Sequence, residues 1–328
     1  MKRILFLVPL LLWACCGTCK AQMMPDSTVQ IVAYWSLGEK YNYQVEEEKG
    51  VISGADTTIV EKSAEILTME VVDETDSTYT LKISYDDFQH SDYARMAANE
   101  AIEKIYGKTW FLVVTDTYGS FLRVEVPDEY TQAGHTAISE TINSMADEND
   151  LPEEGRQAVE SMMKALLTPD AFTLAAMGEI APMLFFHGAR FSLPDEYEYE
   201  EDMLGLLGDG GTIRTTGRIW VDERYSDEES VVMRIFREAD PESTKPYILS
   251  VFASMLQPFV EGGGELDKDG LEELYSQFGI AMEDYVVEEI HLGSGWPLYY
   301  RQTRYVDILQ DDEVISEQYV MRSVDIIL

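Results

Sequence analysis

Residues 35–44 read Trp-Ser-Leu-Gly-Glu-Lys-Tyr-Asn-Tyr-Gln, and residues 191–200 read Phe-Ser-Leu-Pro-Asp-Glu-Tyr-Glu-Tyr-Glu. Serine, leucine and both tyrosines recur in place, with Phe for Trp and Asp for Glu. The tyrosines of each copy alternate with polar residues, which is the period of a β-strand with one buried face. The repeat therefore predicts two related halves, residues 31–188 and 189–328, with a chance match of ten residues as the alternative.

The segments that follow the two copies support this prediction. Each copy precedes two alternating runs joined by a polar turn, at 65–72 and 78–85 in the first half and at 212–221 and 230–237 in the second. The apolar positions that agree in parity are Leu67, Met69, Tyr79, Leu81 and Ile83 in the first half and Ile219, Val221, Val231, Met233 and Ile235 in the second. A repeat of this length needs such parallel patterning to be credible.

The remaining pattern predicts an α+β fold. Strand signals lie at 40–47, 57–72, 78–88, 109–114, 120–126, 212–225, 229–237, 281–292, 298–309 and 313–327, and helical spacing lies at 92–106, 129–146, 153–167, 169–187, 241–260 and 271–278. Short turns between neighbouring strands imply antiparallel pairing. A sheet of about ten strands has to curl. We expect a single domain over residues 22–328, a large curved antiparallel half-barrel with helices packed in or over its concave face.

Two charged segments have structural interpretations. Residues 46–50, Glu-Glu-Glu-Lys-Gly, predict a strand end and turn. In the densest acidic run, Glu196, Glu198 and Glu200 share one face of a strand. Charge of this kind is typical of an exposed edge strand, where it discourages aggregation.

The N-terminus has the features of a secretory signal peptide. Lys2 and Arg3 precede an apolar run, and small residues follow as far as Ala21. Cleavage there would produce a mature protein beginning at Gln22, in the periplasm or outside the cell. The alternative is a lipoprotein signal in which Cys15 is lipidated after cleavage.

Composition excludes several classes of function. All three cysteines lie within residues 1–21, so the remaining 307 residues contain no thiol, disulfide or thiolate metal site. The formal net charge of −37 becomes −40 when the three basic residues of the signal are removed. Such a charge repels nucleic acid. No later apolar run reaches the roughly 18 residues of a membrane span.

Motifs for metals and cofactors are incomplete, and we expect neither. The four histidines are dispersed and form no zinc-binding pair. Residues 265–270 resemble the first half of an EF-hand loop, but Ser276 stands where a bidentate glutamate is required, and a helix cap explains the segment better. Paired carboxylates are abundant, so a hydrolase that uses two of them stays open.

The most apolar segment after the signal is residues 171–187, which has almost no polar face. With the two methionines of the preceding helix, it provides an adaptable surface that either packs as core or lines a site for a lipid-like ligand. The candidate lining is Met162, Met163, Phe172, Met177, Met183 and Phe186.

In its order of strands and helices, and in the Gly-Ser-Gly-Trp-Pro turn at 293–297, the chain resembles the LolA/LppX-like lipoprotein carriers. This resemblance implies a half-barrel whose concave face binds lipid. We therefore expect an exported, non-catalytic protein that binds an apolar ligand or a protein of the cell envelope. A carboxylate hydrolase acting on envelope or extracellular polymers and a structural envelope component are the alternatives.

Overall fold

The computed structural model describes residues 28–54, 56–91, 110–126, 168–204, 212–256, 278–310 and 313–327, together with isolated residues between 131 and 164. The strands are β1 (Thr28–Gln30), β2 (Lys40–Ser53), β3 (Asp56–Glu74), β4 (Thr78–His90), β5 (Trp110–Asp116), β6 (Phe121–Glu125), β7 (Arg190–Ser192), β8 (Glu196–Leu204), β9 (Thr212–Tyr225), β10 (Ser230–Ala239), β11 (Phe278–His291), β12 (Pro297–Gln310) and β13 (Glu313–Ile327). The predicted signal peptide, the EF-hand-like loop and the predicted helix at 92–106 lie outside the described residues. So do residues 271–277 of the helix predicted at 271–278, whose last residue, Phe278, is instead the first residue of β11.

Eleven of these strands form one sheet in the order β6-β5-β4-β3-β2-β13-β12-β11-β10-β9-β8. Every neighbouring pair is antiparallel. The sheet is curved but not closed, since β6 and β8 are its edges. The α+β half-barrel is thus confirmed. β1 and β7 pair separately as a two-stranded sheet.

Two α-helices have described bounds, α1 (Pro169–Glu179) and α2 (Pro241–Leu256). Thr168 caps α1 by accepting a hydrogen bond from the backbone N–H of Ala171 at 3.2 Å. The predicted helix at 169–187 stops early and continues as a 3-10 turn over Ala181–Leu184. Pro182 explains this, because proline has no N–H and its ring clashes with the carbonyl of the preceding turn.

The sheet has a concave face, which carries the core, and an outer face. Tyr41 and Tyr43 of β2, and Tyr197 and Tyr199 of β8, all pack against the same concave core. Four residues of the third strands, Leu81 and Ile83 in β4 and Met233 and Ile235 in β10, are also buried there. The parity predicted for the two halves is therefore the parity observed.

The observed strand register changes which residues of the two halves are equivalent. Tyr41 pairs with Met69, and Tyr197 pairs with Ile219. The equivalent of Ile219 is thus Met69, two residues from the Leu67 that the sequence pattern suggested. A shift of two keeps every side chain on its face, which is why alternation alone did not reveal it. The duplication itself stays a prediction.

The prediction that a strand ends at residues 46–50 is wrong, because β2 runs on to Ser53. Charge does not end the strand here, since Lys49 binds Glu61 of β3 across the pair, Nζ to Oε1 at 2.8 Å. Gly50 lies beneath the ring of Tyr319, where a Cβ would come within 2.3 Å of a ring carbon. Cross-strand pairing thus accommodates the charged run and its glycine inside a long strand.

The acidic run occupies the predicted place. β8 is an edge of the large sheet, and Glu196, Glu198 and Glu200 all point to solvent from it. An unpaired strand edge lined with like charges resists pairing with another chain.

Candidate functional site

The candidate apolar lining falls on the segment that covers the concave face, residues 169–187, here called the covering segment. Phe172 is 5 % exposed, and Met183 and Phe186 are fully buried against the sheet. The ring of Phe172 lies 5.8 Å from that of Phe111 in β5. Met162 and Met163 lie outside the described residues. The buried members therefore fill the concave face as core.

The covering segment also carries two large apolar side chains that are partly exposed. Met177 is 46 % exposed and Phe185 is 37 % exposed. The ring of Phe185 lies 6.1 Å from the ring of Tyr199 and 5.8 Å from the guanidinium of Arg237.

A carboxylate cluster lies where α1 ends above the centre of the sheet. The hydroxyl of Tyr85 donates to Glu179 Oε2 at 2.5 Å, and Arg322 Nη2 lies 3.6 Å from the same oxygen. Burial raises the pKa of the nearby Glu65 to about 7; the charge of Glu179 adds to this rise, and Arg322 opposes it. An acid that titrates near neutrality thus lies close to a second carboxylate that is hydrogen-bonded and ion-paired.

A second charged network joins β8, β10, β11 and β12 on the same face. Asp284 is 1 % exposed, and Arg304 donates to both of its oxygens, at 2.7 and 3.0 Å. Gln302 adds a hydrogen bond at 2.8 Å, and Arg237 bridges Asp284 and Glu201. Each of these charges is paired, as buried charges have to be if they are not to destabilise the fold. The network therefore ties four strands together.

Glu288 contrasts with Asp284, although both lie on the concave face of β11. It is fully buried, and neither carboxylate oxygen has a hydrogen-bond partner among the described residues. The hydroxyl of Tyr43 is likewise buried without a partner. Burial without a counter-charge raises the pKa of Glu288 well above its usual range and so favours the neutral acid.

Sequence reasoning missed Glu288, although the signal was present. Met282, Val286 and Ile290 have the same parity in the predicted strand, and all three are buried. When a glutamate alternates in register with apolar residues along a strand, its carboxyl lies on the buried face with them. Glu65 carries the same signal, since it shares its parity with Leu67 and Met69 of β3.

An aromatic cluster closes one end of the concave face. Trp35 from the repeated stretch stacks on Trp296, ring centroids 4.6 Å apart. His187 Nε2 donates to the carbonyl of Gly295 at 2.7 Å, and burial lowers the pKa of His187 to about 4. Gly295 has φ +76, and a Cβ there would lie 2.4 Å from the carbonyl oxygen of Val32. This packing makes His187 a neutral structural group.

The outer face carries an open groove of about 540 Å³ across β10 to β13. The rings of Tyr285 and Tyr305 meet there edge-on, 5.9 Å apart. Glu283 and Asp307 also line it, and burial together with the charge of Glu283 raises the pKa of Asp307. The groove lies on the opposite face from the predicted lining.

The described part of the chain lacks two kinds of feature. No three His, Cys, Asp or Glu side chains in this part of the chain form a group that could hold a metal ion. None of the described helices is long and apolar enough to cross a membrane.

Fold and site together define an α+β half-barrel protein with a covered concave face. No protein-family model matches the chain, and no curated protein matches it. A solved structure of lipovitellin, described for its lipid–protein interactions, is similar over 89 % of this chain, with a TM-score of 0.38 and 9 % identity. The chain spans 25 % of that lipovitellin chain.

Proposed function

We propose that this protein is an exported, non-catalytic binding protein that holds an amphipathic, lipid-like ligand between the covering segment and the concave face of its sheet. The observation that carries the proposal is the apolar character of the covering segment, which is only partly used by packing. Phe172, Met183 and Phe186 are buried, whereas Met177 and Phe185 are partly exposed.

Such a segment has two favourable positions. Packed on the sheet, it buries its inner side chains as core; displaced from the sheet, it offers the same side chains to the acyl part of a ligand. Methionines suit this exchange because their unbranched side chains adapt to irregular apolar surfaces. The contact between Tyr85 and Glu179 and the ion pair with Arg322 fasten the end of α1 to the sheet.

Native mass spectrometry of the purified protein tests the proposal directly. We expect a co-purified mass in the range of lipids, and binding of a fluorescent fatty acid after that mass has been removed. A protein that carries no such mass and binds no fatty acid would contradict the proposal. If the protein instead captures a protein of the cell envelope, the result would favour a protein partner rather than a lipid on the concave face.

Met183 and Met177 supply a matched pair of variants. Met183 is fully buried on the side of the covering segment where the proposed ligand lies, so Met183→Ala should bind the fluorescent fatty acid several-fold more weakly. Met177→Ala is the control, because Met177 is 46 % exposed, and it should bind the fatty acid as wild type does.

A second candidate function is hydrolysis by the carboxylate cluster, with Glu65 as general acid and Glu179 as its partner. The observation that favours it is the pKa of Glu65, raised to about 7 beside a second carboxylate. Glycoside hydrolysis uses a protonated carboxylic acid together with a second carboxyl group nearby.

Assays on nitrophenyl glycosides and soluble polysaccharides test this candidate. Turnover that is lost in both Glu65→Gln and Glu179→Gln, and kept in Glu70→Gln, would support it. Glu70 lies on the outer face of the same strand, paired with Lys40 and Lys82. Absence of turnover on the whole panel would refute it.

A further inference from the structure

Glu288 is the least explained buried group in the described part of the chain. It lies mid-strand in β11, between Met233 of β10 and Tyr300 of β12. Its neighbours along the strand on the same face, Val286 and Ile290, are both buried. Both carboxylate oxygens are inaccessible and without a hydrogen-bond partner among the described residues.

The same strand shows that this sheet is able to pair a buried carboxylate. Asp284, four residues earlier on the same face, receives hydrogen bonds from Arg304 and Gln302. A buried polar group without a partner costs about 1 to 3 kcal/mol. Stability alone would therefore favour leucine or methionine at position 288.

Tyr43 repeats this feature on the same concave face. The tyrosine is fully buried on β2, its hydroxyl has no partner among the described residues, and the charge of Glu288 acts on it. Two unpartnered polar groups from different strands thus lie on the concave face.

We propose that Glu288 and Tyr43 bind the polar end of an acyl ligand, a fatty acid or a fatty acyl ester, when the covering segment admits it. The inference rests on the proposed function and names the chemistry that its site recognises. The neutral carboxyl donates through its O–H and the tyrosine through its hydroxyl. Both donors suit an uncharged carbonyl or carboxylic acid in apolar surroundings, where a hydrogen bond is strong and an unmade one is costly.

The proposal predicts opposite effects on stability and on binding. In the ligand-free protein, Glu288→Leu and Tyr43→Phe replace unpartnered polar atoms with apolar ones and should leave the thermal midpoint unchanged or higher. In binding assays with oleic acid and methyl oleate, each variant should lose at least tenfold in affinity. Octadecane, which has no carbonyl, should bind wild type and variants alike.

Two further variants separate recognition from packing. Glu288→Gln keeps a donor and an acceptor, so it should retain most of the affinity that Glu288→Leu loses. Tyr197→Phe is the control for Tyr43→Phe, because the Tyr197 hydroxyl already accepts from the backbone N–H of Ser192 at 2.7 Å. It should lower the thermal midpoint and leave oleic acid binding unchanged.

The outcomes distinguish this inference from the function on which it rests. If wild type binds none of the three probes, both fail. If wild type binds them and Glu288→Leu and Tyr43→Phe bind as well as wild type, only this inference fails. Preference for oleic acid over methyl oleate identifies a free acid as the ligand, and equal affinity identifies the acyl carbonyl. If Glu288→Leu does not fold, Tyr43→Phe, which removes a single oxygen, decides the question.

Discussion

Glu65 provides the sharpest test of the electrostatics of the concave face. Glu65 lies opposite Val45 of β2, and β4, which carries Tyr85, flanks β3 on its other side. Helix α1 brings Glu179 close to Glu65. Burial, the charge of Glu179 and the charge of Glu47 raise the pKa of Glu65 from 4.5 to about 7, against the pull of Arg322. The folded protein therefore holds a proton that the unfolded chain releases.

The sign of the effect on stability follows from this difference. Below pH 4.5 the carboxyl is protonated in both states, and its contribution to stability is fully present. Between pH 4.5 and about 7 only the folded state keeps the proton, so stability falls as the pH rises through this range. Each pKa unit is worth about 1.4 kcal/mol, so the loss approaches about 3 kcal/mol above pH 7.

The variant Glu65→Gln isolates this contribution. Glutamine resembles the protonated acid, so the variant should match wild type at pH 4 and exceed its free energy of unfolding by about 3 kcal/mol at pH 8. Urea unfolding at a series of pH values, followed by tryptophan fluorescence, measures the difference. Glu70→Gln on the outer face is the control and should show no such trend. If the curves of Glu65→Gln and wild type run parallel from pH 4 to pH 8, the burial argument is wrong.

Other positions test the packing and the maturation of the chain. Met233→Asp puts a charge at a fully buried position and should lower the free energy of unfolding in urea by several kcal/mol. Arg234→Ser on the outer face should lower it by less than about 1 kcal/mol. The reverse order would refute the assignment of the two faces. Gly217→Ala places a Cβ 2.4 Å from a tyrosine ring and should lower the thermal midpoint, whereas Gly178→Ala, with nothing within 4 Å, should raise it. We expect the mature protein to begin at Gln22. Mass spectrometry that finds a lipid-modified Cys15 as the N-terminal residue would contradict this.

The strands were predictable because most of them have one buried face. In β10, Val231, Met233, Ile235 and Arg237 alternate with their neighbours, and this period locates the strand to within two residues of its observed bounds. The same local signal failed at residues 46–50. Continuation of β2 there depends on Glu61 and Tyr319, which are distant in sequence.

The candidate site was predictable only in part. The apolar covering segment could be recognised because its composition leaves almost no polar face, and Phe172, Met183 and Phe186 do lie on the concave side. The exposure of Met177 and the early end of the helix depend on how the segment meets the sheet.

The sequence by itself determined the α+β class, the antiparallel pairing and the faces of the strands, because alternation of side chains and short turns are local properties of the chain. Only the tertiary structure decided the strand order, with β2 beside β13, and the buried groups that this order brings together. Glu65, Glu179 and Arg322 come from β3, α1 and β13, and Tyr43 and Glu288 from β2 and β11. Their burial and pairing depend on contacts between distant segments, and these contacts set the pKa values and the unpartnered polar groups on which the proposed chemistry rests.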